Sequence, residues 1–285
     1  MNKIFTFFVF LMSLIFFSAC SDVASVSSLA RSHNPFIGKS ISTYFRGSYV
    51  NAEDAIARLE EENFKIVATY HPVKDGTIII FTNQALLHEA SKPGCGYIAT
   101  LRLFIDEKNG TISITNPVYF GKAFMGKKFD YRVFVAEVEA IHNAFPALHG
   151  SKDSMEFENL ASYHFMIGMP YYKDQDILAQ GSAKQLIQKL HRYKDGRKII
   201  FQLKITKGTF LIGYELEEET RAFIEKLGRE NAAILPWSIL IENNKAKAIN
   251  AQYYLAISYP LLNMSKFMSI ATVPGRIKKE LTKPF

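Results

Sequence analysis

The chain has 285 residues, 48% of them hydrophobic, 13% aromatic and 21% charged, and its 34 basic against 27 acidic residues give a formal charge of +7. That apolar fraction, with no low-complexity tract, excludes a disordered chain, a collagen and a disulfide scaffold. The length leaves one large domain or two small ones with ample core, and the mild charge, with no basic stripe interleaved with aromatics, argues against nucleic acid as a partner.

The first element is an address. Residues 1–19 read as a lipoprotein signal peptide: Lys3 is a basic start, 4–17 is an uncharged and mostly apolar run, and small residues lead to Cys20. Such a run rises about 21 Å as a helix, short of the roughly 30 Å hydrocarbon layer, which favours a cleaved leader over a spanning helix. Phe17-Ser18-Ala19-Cys20 resembles a bacterial lipobox, with Phe where Leu is usual. It implies cleavage before Cys20, lipid on that thiol, and a chain anchored in the bacterial cell envelope facing the periplasm. An uncleaved N-terminal anchor is the alternative, and both readings make the membrane a partner. With Cys20 acylated, Cys95 is the only free thiol. Residues 20–36, small and polar, read as a flexible tether.

From residue 37 the pattern is periodic. Apolar residues at Ala55, Ile56 and Leu59 predict a helix over 52–61, followed by strands over 64–70 and 77–82 joined at Asp75-Gly76. A short helix over 84–91 closes at Lys92-Pro93-Gly94, and a hairpin over 98–105 and 111–114 turns at Lys108-Asn109-Gly110. Asn116-Pro117 opens another helix, with Asn as the cap and Pro at the first helical position. A longer connecting helix over 130–145 stops at Pro146. The same order then recurs: a helix over 182–190, strands over 197–205 and 209–214 joined at Lys207-Gly208, a helix over 217–227 ended by Gly228, a hairpin over 238–242 and 246–249 around Asn243-Asn244, and a helix opened by Asn250.

Landmarks align between the halves. Gly76-Thr77 matches Gly208-Thr209 at an offset of 132; Gly94/Gly228, Asn116/Asn250 and Tyr119/Tyr253 match at 134; and residues 103–106 match 239–242 at 136. The expectation is an α+β protein of two tandem α-β-β-α-β-β-α units, 37–150 with the connecting helix and 151–285. Largely antiparallel sheets covered by helices would pack as a pseudo-dimer. The segments GTIIIFTNQALL, YHFMIGMPYY and YYLAISYPLLNMSKFMSIATVP, with the Asn-x-x-Tyr-Phe/Tyr helix start, resemble the domain of unknown function DUF302 over most of 64–274, applied twice. The resemblance implies a small α+β domain that tends to pair with itself, and it supplies no activity and no catalytic residues. The duplication and the lipid signal depart from many of its relatives.

The sequence lacks GxGxxG, a Walker loop, GxSxG, HExxH, CxxC and CxxCH, which removes the common nucleotide, serine-hydrolase, zinc-protease and c-haem chemistries. The leading expectation is a non-catalytic envelope lipoprotein that binds a small ligand or a partner protein at the groove between its units. Its candidate lining residues are Tyr119, Tyr253, His164, Met166 and Met169. The second is copper or haem handling. In an extended chain His164 and Met166 point the same way, a bend at Gly168 returns Met169, and Met264 and Met268, four apart on a helix, add sulfur suited to Cu(I). The same residue types also serve as core packing. The third is an enzyme with an unfamiliar site. Cys95 reads as an exposed turn thiol; His142 and His149 are seven apart but divided by Pro146; Arg102 and Lys122 would frame an anion site if the fold brought them together.

Overall fold

In this computed structural model residues 34–285 are described. The signal-like residues 1–19, the lipidation candidate Cys20 and the tether up to residue 33 lie outside the described residues. Two short strands, β1 (Ser40–Ser42) and β2 (Tyr44–Ser48), come first. Helix α1 (Ala52–Glu61) follows, its cap Asn51 accepting from the Asp54 N–H. Strands β3 (Lys65–Val73) and β4 (Gly76–Thr82) lead to α2 (Gln84–Ala90), a 3₁₀ turn over Gly96–Ala99, the hairpin β5 (Leu101–Asp106) and β6 (Thr111–Thr115), and α3 (Pro117–Met125). Helix α4 (Tyr131–Ala144), capped by Asp130, then connects to β7 (His149–Gly150), β8 (Ser154–Glu156) and α5 (Phe157–Leu160).

The second half runs β9 (Asp176–Gln180), α6 (Ala183–Arg192), β10 (Ile199–Thr206), β11 (Thr209–Tyr214), α7 (Glu218–Arg221) and α8 (Phe223–Leu227). A 3₁₀ segment over Arg229–Ile234 precedes β12 (Trp237–Glu242), β13 (Lys245–Ala248) and α9 (Ala251–Ser258), and α10 (Met264–Ser269) and α11 (Val273–Thr282) close the chain. The helix expected over 217–227 is two helices with Ala222 between them. No helix among the described residues is long and apolar enough to cross a membrane.

The fold is α+β, as expected: all strand pairings are antiparallel, and helices flank the sheets. One sheet has the order β3-β4-β5-β6-β2-β7, the other β10-β11-β12-β13-β9, and β1 pairs with β8. Each large sheet thus carries a strand the sequence pattern did not mark, β2 and β9, which pairs with the end of the hairpin. Both are five residues without a clear apolar alternation, and β2 contains Gly47, where a Cβ would meet Leu148 at 2.9 Å. The ladders run in the same register: Leu103 faces Ile114 as Ile239 faces Ala248, and Ile105 faces Ile112 as Ile241 faces Ala246. The central strands β4, β5 and β12 are buried along their whole length, which explains their unbroken apolar runs.

Residues Phe36–Phe285 form one compact unit, and the two sheets meet reciprocally within it. Edge strands β3 and β10 lie side by side; the Arg229–Ile234 segment packs on β5, and the Gly96–Ala99 turn packs on β12. Side chains follow the same pattern. Asp106 accepts from Arg229 Nε at 2.8 Å, and its counterpart Glu242 accepts from the Gly94 N–H at 2.9 Å. At Gly96 a Cβ would collide with Leu240, so the turn approaches β12 more closely than any larger residue permits.

Candidate functional site

A cavity opens where the halves meet. From the first half it takes the Gly96–Ala99 turn, the start of β5, the end of β6 and part of α3; from the second it takes the start of β12, Ile249 and Tyr254 on α9. Its empty space is about 570 Å³ with the open solvent at its mouth included. The first half supplies most of the lining, and each of the four residues from the second half has a counterpart there. Leu101 and Trp237, Arg102 and Ser238, Thr115 and Ile249, and Phe120 and Tyr254 occupy matching positions at the offsets above, and all eight line the cavity.

Arg102 is the one full charge in this wall. It is the second residue of β5, opposite Ile80, and Thr115 Oγ1 fixes its backbone by accepting from the Arg102 N–H at 3.0 Å. The residue is 5% exposed. Its Nη1 donates to the Ile234 carbonyl at 2.6 Å and the Tyr254 hydroxyl at 2.8 Å, and its Nη2 donates to Ser238 Oγ at 2.8 Å. None of the ion pairs among the described residues includes it. A guanidinium has five N–H donors, and the Nε–H makes no hydrogen bond among the described residues.

Two hydroxyls in the same wall are also unused. Thr100 Oγ1 and the Tyr97 OH are buried and find no partner among the described residues. Burial pushes the Tyr97 phenol well above its ordinary pKa, and Glu242 and Asp176 push the same way, so it stays a neutral donor. The rest of the lining is apolar, chiefly Phe120, Phe124, Phe134, Trp237 and Ile249. Trp237 stands edge-on to Tyr254 at 5.0 Å, and Phe124 stacks on Tyr172 at 5.0 Å. The Tyr172 hydroxyl donates to the Gly94 carbonyl at 2.8 Å, which holds the wall from behind. The lining has no carboxylate, imidazole or thiol. The lining thus combines apolar area with a guanidinium and a few hydroxyls.

The expected lining residues fall elsewhere. Tyr119 and Tyr253 are buried, but it is their neighbours Phe120 and Tyr254 that line the cavity. Tyr119 donates to the Ile257 carbonyl at 2.9 Å, and Tyr253 packs 6.1 Å from the rings of Tyr163 and Tyr172. The His164 ring lies against Tyr171 at 4.4 Å, and Met169 is partly buried against the core. Phe165 stacks on Phe267 at 5.1 Å, which sets this segment against α10. Met166, Met264 and Met268 are exposed there. Among the described residues, no group of three His, Cys, Asp or Glu is placed to hold a metal.

Cys95 is buried, not an exposed turn thiol, because the Gly94 contacts to Glu242 and Tyr172 dock its loop. Burial raises its pKa against the opposing pull of Lys128 and Lys92. His142 meets the edge of Phe45 at 5.0 Å, whereas His149 is exposed on β7. Lys122 sits over the Phe157 ring at 4.9 Å, apart from Arg102 and its partners. Asn116 and Asn250 cap α3 and α9 through the Val118 and Gln252 N–H groups. The sequence reading passed over Tyr97, Thr100, Trp237, Ser238 and Tyr254. For Ser238 and Tyr254 the signal was the offset itself, extended by one residue from 103/239 and from 119/253, and for Trp237 by two; no sequence signal pointed to Tyr97 or Thr100.

Fold and cavity together define an α+β chain with two similarly ordered sheets and a pocket at their junction. No family model matches this chain, and no curated protein or solved structure matches it.

Proposed function

We propose that this chain is a non-catalytic binding protein whose site is the cavity between its two halves, and that the halves are copies of one duplicated unit. The observation that carries the reading is the buried, carboxylate-free Arg102 in an otherwise apolar wall built from matching positions of both halves. A shared order over five strands of each sheet and reciprocal packing support the duplication. The DUF302 resemblance is compatible with a self-pairing unit and lends no activity. Native mass spectrometry of the full chain, purified without denaturation, tests the site. The expected result is a stoichiometric organic adduct that is lost in a folded Ile249→Phe variant, whose larger side chain fills the cavity. A bare polypeptide mass, or an adduct indifferent to that substitution, contradicts it.

The same reading places the protein at a membrane surface of the bacterial envelope, facing the periplasm and held by lipid on Cys20. Support comes from the lipobox-like residues 17–20 and from the C-terminal segment. Leu261, Met264 and Met268 are exposed there. From 261 to 285 the chain has five basic residues and a single carboxylate, Glu280, which is buried, a balance suited to anionic lipid. Cys20→Ser is expected to move the chain from the membrane to the soluble envelope fraction; unchanged membrane retention would contradict the anchor.

A further inference from the structure

We infer that the occupant of this cavity is a monocarboxylate with a short apolar body, its carboxylate held by Arg102 and Thr100. The inference rests on the binding role proposed above and adds the ligand's chemical class.

Charge is the first argument. A buried cation is expensive unless something compensates it, and Arg102 meets only carbonyl and hydroxyl oxygens. The fold does not demand a cation at this place. The matching position in the other half is Ser238, the second residue of β12 as Arg102 is the second of β5, and it is neutral. One half therefore builds the same strand start without a charge, and the charge in the other half is left for a ligand to neutralise.

Donor count is the second argument. Two side chains of this wall, two residues apart at the start of β5, keep unused donors: the Arg102 Nε–H and the Thr100 hydroxyl. A carboxylate has two oxygens and accepts only, so it satisfies such a set, and a planar guanidinium edge suits it in particular. Its single negative charge balances the single positive one. A phosphate dianion would bring a second charge with no cation to meet it, because the lining includes no Lys and no other Arg. A neutral ligand would leave Arg102 uncompensated. The remaining surface, Phe120, Phe124, Trp237 and Ile249 among others, calls for an apolar body without further polar groups.

Calorimetric titration of the full chain with octanoate and with its neutral isostere octanamide tests the class without any variant. Octanoate is expected to bind with one-to-one stoichiometry, and octanamide at least about tenfold more weakly, since hydrogen bonds to a charged partner exceed those to a neutral one. Thr100→Val removes an unpartnered hydroxyl at nearly constant shape. It is expected to keep or raise the melting temperature of the free chain while weakening octanoate about tenfold, a divergence that a merely structural hydroxyl does not produce. Arg102→Met, confirmed folded by circular dichroism, is expected to abolish the preference for octanoate over octanamide. Equal binding of the two compounds by the wild type overturns the carboxylate assignment while leaving a small-ligand site in place. Binding of neither also overturns it, and the native adduct and its sensitivity to Ile249→Phe then judge the broader reading separately.

Discussion

Arg102 and Cys95 differ in what burial does to them. Arg102 is carried inside by β5, where every position is covered, and backbone carbonyls and hydroxyls take most of its donors. Cys95 is carried inside by a loop pinned at Gly94, and burial raises the pKa of its thiol, which suppresses the reactive thiolate. In the folded chain near neutral pH, Cys95 is expected to react with a maleimide at least about a hundredfold more slowly than in denaturant, because reaction awaits local opening. Equal rates would show that the loop is not docked. The turn chemistry of Pro93-Gly94-Cys95-Gly96 was legible from sequence, but its exposure was not. Exposure depends on Glu242 and Tyr172, residues more than seventy positions away.

At the level of elements, local signals did well wherever local physics decides. Asn51, Asp130, Ser182 and Asn250 cap the helices they precede, and the Gly and Asn turns fall between the paired strands. The elements that escaped notice, β2 and β9, are recruited by their partners β6 and β13 and carry little pattern of their own. The α7 start shows a different kind of determinant. Glu217, its cap residue, accepts from Lys194 Nζ at 2.7 Å and Lys198 Nζ at 2.9 Å, and these two lysines hold its carboxyl down to about 2. A carboxyl whose pKa is lowered on folding adds stability above its unfolded value, 4.5 here, and that stability is lost as the pH falls towards about 2. The pair is over a third exposed on the Glu217 side, so solvent screens it to about 0.5 kcal/mol or less. Urea midpoints measured across that acid window are expected to slope less in Glu217→Gln than in the wild type, with the two converging at the acid end. Parallel curves would contradict the assignment.

For the whole molecule, the offsets in the sequence are what foretold two similarly ordered halves, and the contacts between those halves are what no single-chain pattern could supply. The Arg229–Asp106 pair illustrates the point: both side chains are at most 7% exposed, they come from opposite halves, and the bond is 2.8 Å. Removing one partner leaves a buried charge unpaired. Asp106→Ala is expected to lower the unfolding free energy by about 3 kcal/mol, the lower part of the usual range because Glu225 also accepts from Arg229. A loss below about 1 kcal/mol would mean that the junction tolerates separation. The cavity belongs to this same scale, since its lining takes residues from both halves, Phe120 and Tyr254 and not Tyr119 and Tyr253 among them.

Trp237 is the only tryptophan of the chain and lines the cavity, so its emission reports directly on occupancy. Titrating the full chain with octanoate is predicted to change Trp237 fluorescence saturably, with a midpoint matching the calorimetric one, and to leave the emission of a folded Ile249→Phe variant unchanged. An emission that stays flat in the wild type at concentrations that saturate calorimetric binding would place the ligand elsewhere and contradict a binding site between the halves.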